Sequence, residues 1–173
     1  MNLQSNDFEL FGLATRFGQD RAAIDGRWKD LQRQAHPDKF TMQGATAQRL
    51  AMQWSVRINE AYQRLKDPLK RAAYLCELHG APVNAENNTA MAADFLQQQM
   101  QWREELEEAA GAADLDRLLA LVSSARRDLV QQCEQLLDQR QDYQEAVRQV
   151  RALMFIERFA GDLQNRLDRL ETQ

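Results

Sequence analysis

The chain is short of almost everything that breaks or staples a polypeptide. Its 173 residues include 3 prolines and 7 glycines, too little turn material for a fold of many short strands, so long helices are expected. It has 2 cysteines, Cys76 and Cys133, far apart in the sequence and in neither a CxxC pair nor a cluster with histidine. Buried, unreactive thiols in a reducing cytoplasm are the expectation, with no disulfide framework. With 2 histidines as well, the chain offers no four-ligand metal set and is expected to carry no metal and no cofactor. No apolar run reaches bilayer-spanning length, and the first residues lack the basic-then-apolar order of a secretory signal, so no membrane attachment is expected. Basic charge is also lacking: the net charge is −4 and the pI near 5.3, which argues against a nucleic-acid partner. What remains is an ordinary core-forming composition, 44% hydrophobic and 28% charged.

The pattern that is present is helical nearly throughout. Asp7 is placed to cap a short helix through Phe11, with Phe8, Phe11 and Leu13 packing onto the two main helices of the first half. Asp20 is placed to cap the first of these, ending near Ala35, whose apolar face is Ile24, Trp28, Leu31 and Ala35 at helical spacing. Lys29 and Arg33 form a basic i,i+4 stripe beside that face. The glycine inside this helix, Gly26, has no evident reason in the pattern. Pro37 removes a backbone donor and turns His36 away from the α region, so the helix must end there. A second long helix runs from beyond the break to about Lys66, carrying Ala47, Ala51, Trp54, Ile58, Ala61, Tyr62 and Leu65 on one side. Asp67-Pro68 opens another helix through Leu78, and Gly80 is placed to end it.

Between the two main helices, His36-Pro37-Asp38 holds an imidazole and a carboxylate two residues apart on a rigid turn, suited to a charged, hydrogen-bonded contact with a partner. A catalytic dyad is the weaker reading, because no nucleophile lies nearby in sequence and no oxyanion-type glycine loop exists. A hairpin of two amphipathic helices joined at this tripeptide resembles a J-domain, the module that stimulates DnaK-class chaperone ATPases. The resemblance extends further. Phe8-Glu9-Leu10-Phe11-Gly12-Leu13, Lys39-Phe40, Ile58-Asn59-Glu60-Ala61-Tyr62 and the run Leu65 to Leu75 are similar to the HscB family, J-proteins of iron–sulfur cluster assembly. So is Phe95-Leu96 followed by Arg103-Glu104-Glu105-Leu106. The chain departs from the general J-domain pattern at Gln34 and Ala35, and it lacks the cysteine pairs of the eukaryotic members.

The resemblance implies a two-domain, all-α co-chaperone that is not an enzyme. A J-domain would occupy 1–79 and a three-helix bundle that binds the scaffold protein 91–173; between them 80–90, with Pro82, three Asn residues and no apolar periodicity, reads as a linker. The bundle helices themselves are read from apolar periodicity, at about 90–109, 114–140 and 142–170. The chaperone contact implied by the resemblance is His36, Pro37 and Asp38, with Lys29, Arg33 and Lys39 adding charge complementarity to an HscA/DnaK-class chaperone. The plainer alternative for the basic stripe is a solvated face.

In the first bundle helix Met91, Phe95, Trp102, Leu106 and Ala109 share a core face, which leaves Leu96 and Met100 pointing away, with Glu104 one turn on. In the last helix Leu153-Met154-Phe155-Ile156 surrounds the axis with apolar groups, so either Met154 or Phe155 is expected to face outwards. These groups either meet a partner or pack against the first domain. The resemblance favours a partner, an IscU-type scaffold, at Leu96, Met100, Glu104 and Phe155. The rival function is a general J-protein presenting other clients, which would show a Gly/Phe-rich linker or a cysteine-rich client domain; neither occurs.

Overall fold

The computed structural model describes residues 2–84, 91 and 93–172, and among these the regular elements are all helices, without strands. The chain divides into two compact units between Leu75 and Cys76. The first unit begins with α1, Asp7–Phe11. Its N-cap is Asn6, not Asp7: Asn6 Oδ1 accepts from the Glu9 N–H at 2.9 Å and the Glu9 carboxylate accepts from the Asn6 N–H at 3.1 Å, a reciprocal capping box. Asp7 is instead fully buried between Arg57 at 2.7 Å and Arg64 at 2.8 Å. The Tyr74 hydroxyl accepts from its backbone N–H at 3.1 Å, so α1 is clamped by ion pairs as well as by Phe8 and Phe11. Gly12 ends α1 at φ 62°, where a side chain would be strained and a Cβ would stand 2.9 Å from the Arg27 guanidinium that binds the Phe11 carbonyl.

Helix α2, Arg21–Ala35, has the expected bounds, with Asp20 capping the Ala22 N–H at 3.0 Å. The break after it is longer than a turn. Residues Pro37–Gln43 form a 3-10 helix, and Gly44 at φ 94° leads into α3, Ala45–Lys66. Ile24, Leu31 and Ala35 of α2 are buried, as are Ala51, Ile58, Ala61 and Leu65 of α3, which makes these helices an antiparallel hairpin. Gly26 is exposed with open space around it, and nothing in the structure explains it. Helix α4, Pro68–Leu78, opens with Asp67 Oδ1 accepting from the Lys70 N–H at 3.1 Å. It closes on Gly80 at φ 74°, with the Ala81 N–H reaching the Cys76 carbonyl at 2.9 Å.

The division inside α4 differs from the expected boundary after residue 79. The described part of the expected linker is built into the second unit. Ala81 and Val83 are buried, and the Val83 carbonyl accepts from Arg151 Nε at 3.1 Å and Nη2 at 2.9 Å. Residues 85–90 lie outside the described residues. The second unit contains α5, Ala93–Glu108, α6, Ala112–Glu134, and α7, Tyr143–Glu171, capped by Asp142 on the Glu145 N–H. The last turn of α6 widens into a π segment, Gln135–Gln139, in which the Arg140 N–H bonds the Gln135 carbonyl at 2.9 Å. Trp102 of α5, Leu115, Leu118 and Val122 of α6, and Ile156 and Leu163 of α7 meet in one core cluster.

Candidate partner-binding sites

The first candidate site is the exposed tripeptide of the first unit. Pro37 sits at the first position of the 3-10 helix, where its missing N–H costs nothing. His36 is the cap of that helix: its Nδ1 accepts from the Asp38 N–H at 3.3 Å. The Asp38 carboxylate also lies 3.5 Å from the same Nδ1, outside ordinary hydrogen-bond length, so the cap bond is the one that orients the ring. The backbone is held from the other side as well, since Thr41 Oγ1 donates to the Asp38 carbonyl at 3.1 Å. The result is an imidazole 54% exposed and a carboxylate 86% exposed, each on a hydrogen-bonded backbone. Lys29, Arg33 and Lys39 are exposed too; Arg33 is only loosely paired, at 3.6 Å, with Asp30 in its own helix. All six expected residues lie on α2, on the 3-10 segment after it, or, for His36, at the cap between the two.

The second candidate site lies on α5. Leu96 and Met100 are 44% and 68% exposed, and Glu104, one turn further, is exposed as well. On the opposite side Phe95 meets Trp102 edge-on at 6.3 Å, so the helix presents one apolar face inward and a shorter one outward.

Phe155 is not part of that outward face. It is 9% exposed, stacked on Phe159 at 5.6 Å and met edge-on by Phe95 at 5.9 Å. The Arg103 guanidinium covers it at 5.5 Å. Leu153 and Ile156 are also buried and Met154 is half-buried. The expectation that Met154 or Phe155 must face outwards assumed a single core against α7. The helix is in fact enclosed on more than one side, by α5 and α6 along its middle and by the segment that Arg151 holds nearer its start. Arg103 is the neighbour that sequence reasoning missed; its position eight residues after Phe95 on the same helix was the available signal.

Among the described residues no three His, Cys, Asp or Glu side chains are grouped to hold a metal ion. Among the same residues no helix is long and apolar enough to cross a membrane. Burial pushes the Cys76 thiol up to about 11 and the Cys133 thiol to about 12, so both are protonated at neutral pH.

Comparison with known proteins agrees with this architecture. Residues 91–164 match the family model described as the HSCB C-terminal oligomerisation domain. The co-chaperone protein HscB homologue of Burkholderia multivorans is 47% identical over 175 residues, covering 99% of both chains. That of Burkholderia vietnamiensis is 46% identical over the same length and coverage. Chaperone HscB from Vibrio cholerae superposes with a TM-score of 0.83 at 35% identity, covering 96% of this chain and 99% of that one. Human co-chaperone protein HscB superposes with a TM-score of 0.89 at 25% identity, covering 96% and 84%. An all-α chain with a helical hairpin carrying the tripeptide, a bundle matching the family model, and similarity along its whole length is a member of the HscB family of co-chaperones.

Proposed function

We propose that this co-chaperone serves iron–sulfur cluster assembly by stimulating the ATPase of an HscA/DnaK-class chaperone and delivering an IscU-type scaffold protein to it. The observation that supports the reading is that the exposed tripeptide and the exposed apolar pair on α5 lie on two separate compact units of one chain. In the first unit, Asp38 offers an exposed carboxylate to a basic group of the chaperone and His36 offers a hydrogen bond beside it. Lys29, Arg33 and Lys39 steer the approach toward an acidic chaperone surface and fix its orientation. In the second unit Leu96 and Met100 form the apolar anchor of the scaffold contact, with Glu104 at its rim. Phe155 supports this face from beneath through Phe95. Linking the two sites raises the effective concentration of scaffold and chaperone for one another. The chain itself supplies no reaction: nucleotide and cluster belong to its partners. Its unpaired thiols suit a reducing cytoplasm.

The test uses two sets of variants. His36→Gln and Asp38→Asn are expected to lower stimulation of chaperone ATP hydrolysis at least about tenfold, roughly 1.4 kcal/mol of coupling, with unchanged melting. Leu96→Ala with Met100→Ala is expected to abolish scaffold binding in calorimetry while stimulation without scaffold persists. Wild-type stimulation by either tripeptide variant refutes the chaperone assignment, and undiminished scaffold binding by the α5 pair refutes the second.

A further inference from the structure

The Ile58-Asn59-Glu60-Ala61-Tyr62 motif is not used by either partner surface, yet it lies in a regular array of polar and aromatic contacts along one edge of the α2–α3 hairpin. Asn59 is its centre. Its Oδ1 accepts from Trp28 Nε1 at 2.9 Å and from Gln32 Nε2 at 2.6 Å. Toward the tripeptide, Gln32 also donates to the Ser55 carbonyl at 3.1 Å and accepts from Ser55 Oγ at 2.9 Å. Away from it, Trp28 stacks on Tyr62 at 4.7 Å, and the Tyr62 hydroxyl donates to Asp25 at 2.9 Å. Arg21 closes the array, pairing with Asp25 at 2.9 Å and donating to the Lys66 carbonyl at 3.2 Å. The Arg21 guanidinium holds the Asp25 carboxyl below its usual range, which keeps this acceptor charged. The partners climb α2 at 21, 25, 28 and 32 and descend α3 at 66, 62, 59 and 55, one rung per helical turn.

Burial cannot be the purpose of this array, because Asn59 is exposed and Trp28, Gln32, Ser55 and Tyr62 are only half-buried. Hydrogen bonds in such a place contribute little net stability. They are directional, however, whereas the apolar contact beneath them is not. That contact rests partly on the small side chains Ala35, Ala51 and Ala61, which resist rotation of one helix against the other only weakly. At about 100° per residue the rungs of α2 lie between its core face and the stripe formed by Lys29 and Arg33. Whatever fixes the rungs therefore fixes the direction in which that stripe points.

We infer that the Trp28–Asn59–Gln32 rungs are a positioning device that sets the roll of α2 and so aims Lys29 and Arg33, together with the tripeptide at its end, at the chaperone. The inference rests on the proposed chaperone contact and adds Asn59 and Gln32 to it as positioning residues, not contact residues.

The test is a double-mutant cycle of Asn59→Ala and Arg33→Ala, read as the half-saturating concentration for stimulation of a purified HscA-type DnaK-class ATPase. Alanine is the better helix former, so α3 is expected to persist and the melting temperature to stay within a few degrees. Asn59→Ala is expected to raise the half-saturating concentration about threefold or more, the equivalent of one modest hydrogen bond. Asn59→Asp, which keeps an acceptor for both N–H donors, is expected to restore most of the loss. Side chains that do not touch are ordinarily additive. If Asn59 aims Arg33, removing Arg33 is expected to matter less in the Asn59→Ala background. Gln32→Met, which removes the other side of the rung, is expected to reproduce the same non-additivity. Strict additivity, wild-type stimulation by Asn59→Ala, or a collapse of melting in both rung variants overturns the positioning role. If Arg33→Ala and Asp38→Asn are themselves silent, it is the chaperone contact that has failed, and the aiming role falls with it.

Discussion

Replacing Phe155 by alanine tests whether burial or helical phase governs the role of the last helix. The side chain is 9% exposed and touches Phe95, Phe159 and the Arg103 guanidinium. Truncating a core phenylalanine costs about 3–5 kcal/mol, from lost transfer energy and the cavity left behind. Phe155 lies at the edge of its cluster, with Arg103 able to settle partly into the gap, so the lower end, about 3 kcal/mol, is expected. For a unit of about 100 residues the unfolding entropy near 60 °C is about 0.2 kcal/mol per degree, which converts this loss to a fall of about 15 °C. Met100→Ala removes a side chain that is 68% exposed and is expected to move melting by no more than about 2 °C. Calorimetric scans of the two full-length variants, side by side, make the comparison. A Phe155→Ala transition within about 3 °C of wild type, or a Met100→Ala loss equal to it, refutes the burial argument.

Buried groups supply two further predictions. Asp7→Asn leaves Arg57 and Arg64 facing a neutral amide. Because Arg64 is 40% exposed and turns to water, a loss of about 2–3 kcal/mol is expected in denaturant unfolding, below the full value for a buried pair. A change under about 0.5 kcal/mol would show that the clamp on α1 is dispensable. For Cys76 and Cys133 the folded thiols titrate at about 11 and about 12, above the unfolded range, so the unfolded chain loses its protons first as pH rises. Their contribution is full below about pH 8.5 and is lost as pH climbs toward the folded values; rapid modification of either thiol at pH 8 in the native protein would contradict this.

Where a signal is local, the sequence was readable. Asp20 and Pro37 bound α2 because a capping carboxylate and a missing N–H act within one turn of themselves. The same logic misplaced the start of α1. Asn6 and Glu9 carry the capping-box spacing, and Asp7 between them faces inward to two arginines at least 50 positions away in sequence. The tripeptide and its basic stripe were legible, since every member lies on α2 or the seven residues after it. Phe155 was not, because helical phase locates a residue relative to one neighbour and α7 has neighbours on several sides. The pairing of Trp28 with Asn59, 31 residues apart, needs the register of two helices, which composition and periodicity leave free.

The π segment at Gln135–Gln139 has a bearing on how this family tolerates change in length. A π turn holds one residue more than the α turn it replaces, and here Leu136 and Leu137 are both buried across it. The end of α6 thus stores a residue of slack. Deleting one residue between 135 and 139 would let the turn relax to ordinary α geometry, leaving upstream positions such as Val122 and Cys133 facing as they do now. The same deletion in mid-helix would rotate everything beyond it by about 100° and turn apolar side chains to water. A single-residue deletion is accordingly best accommodated at this turn.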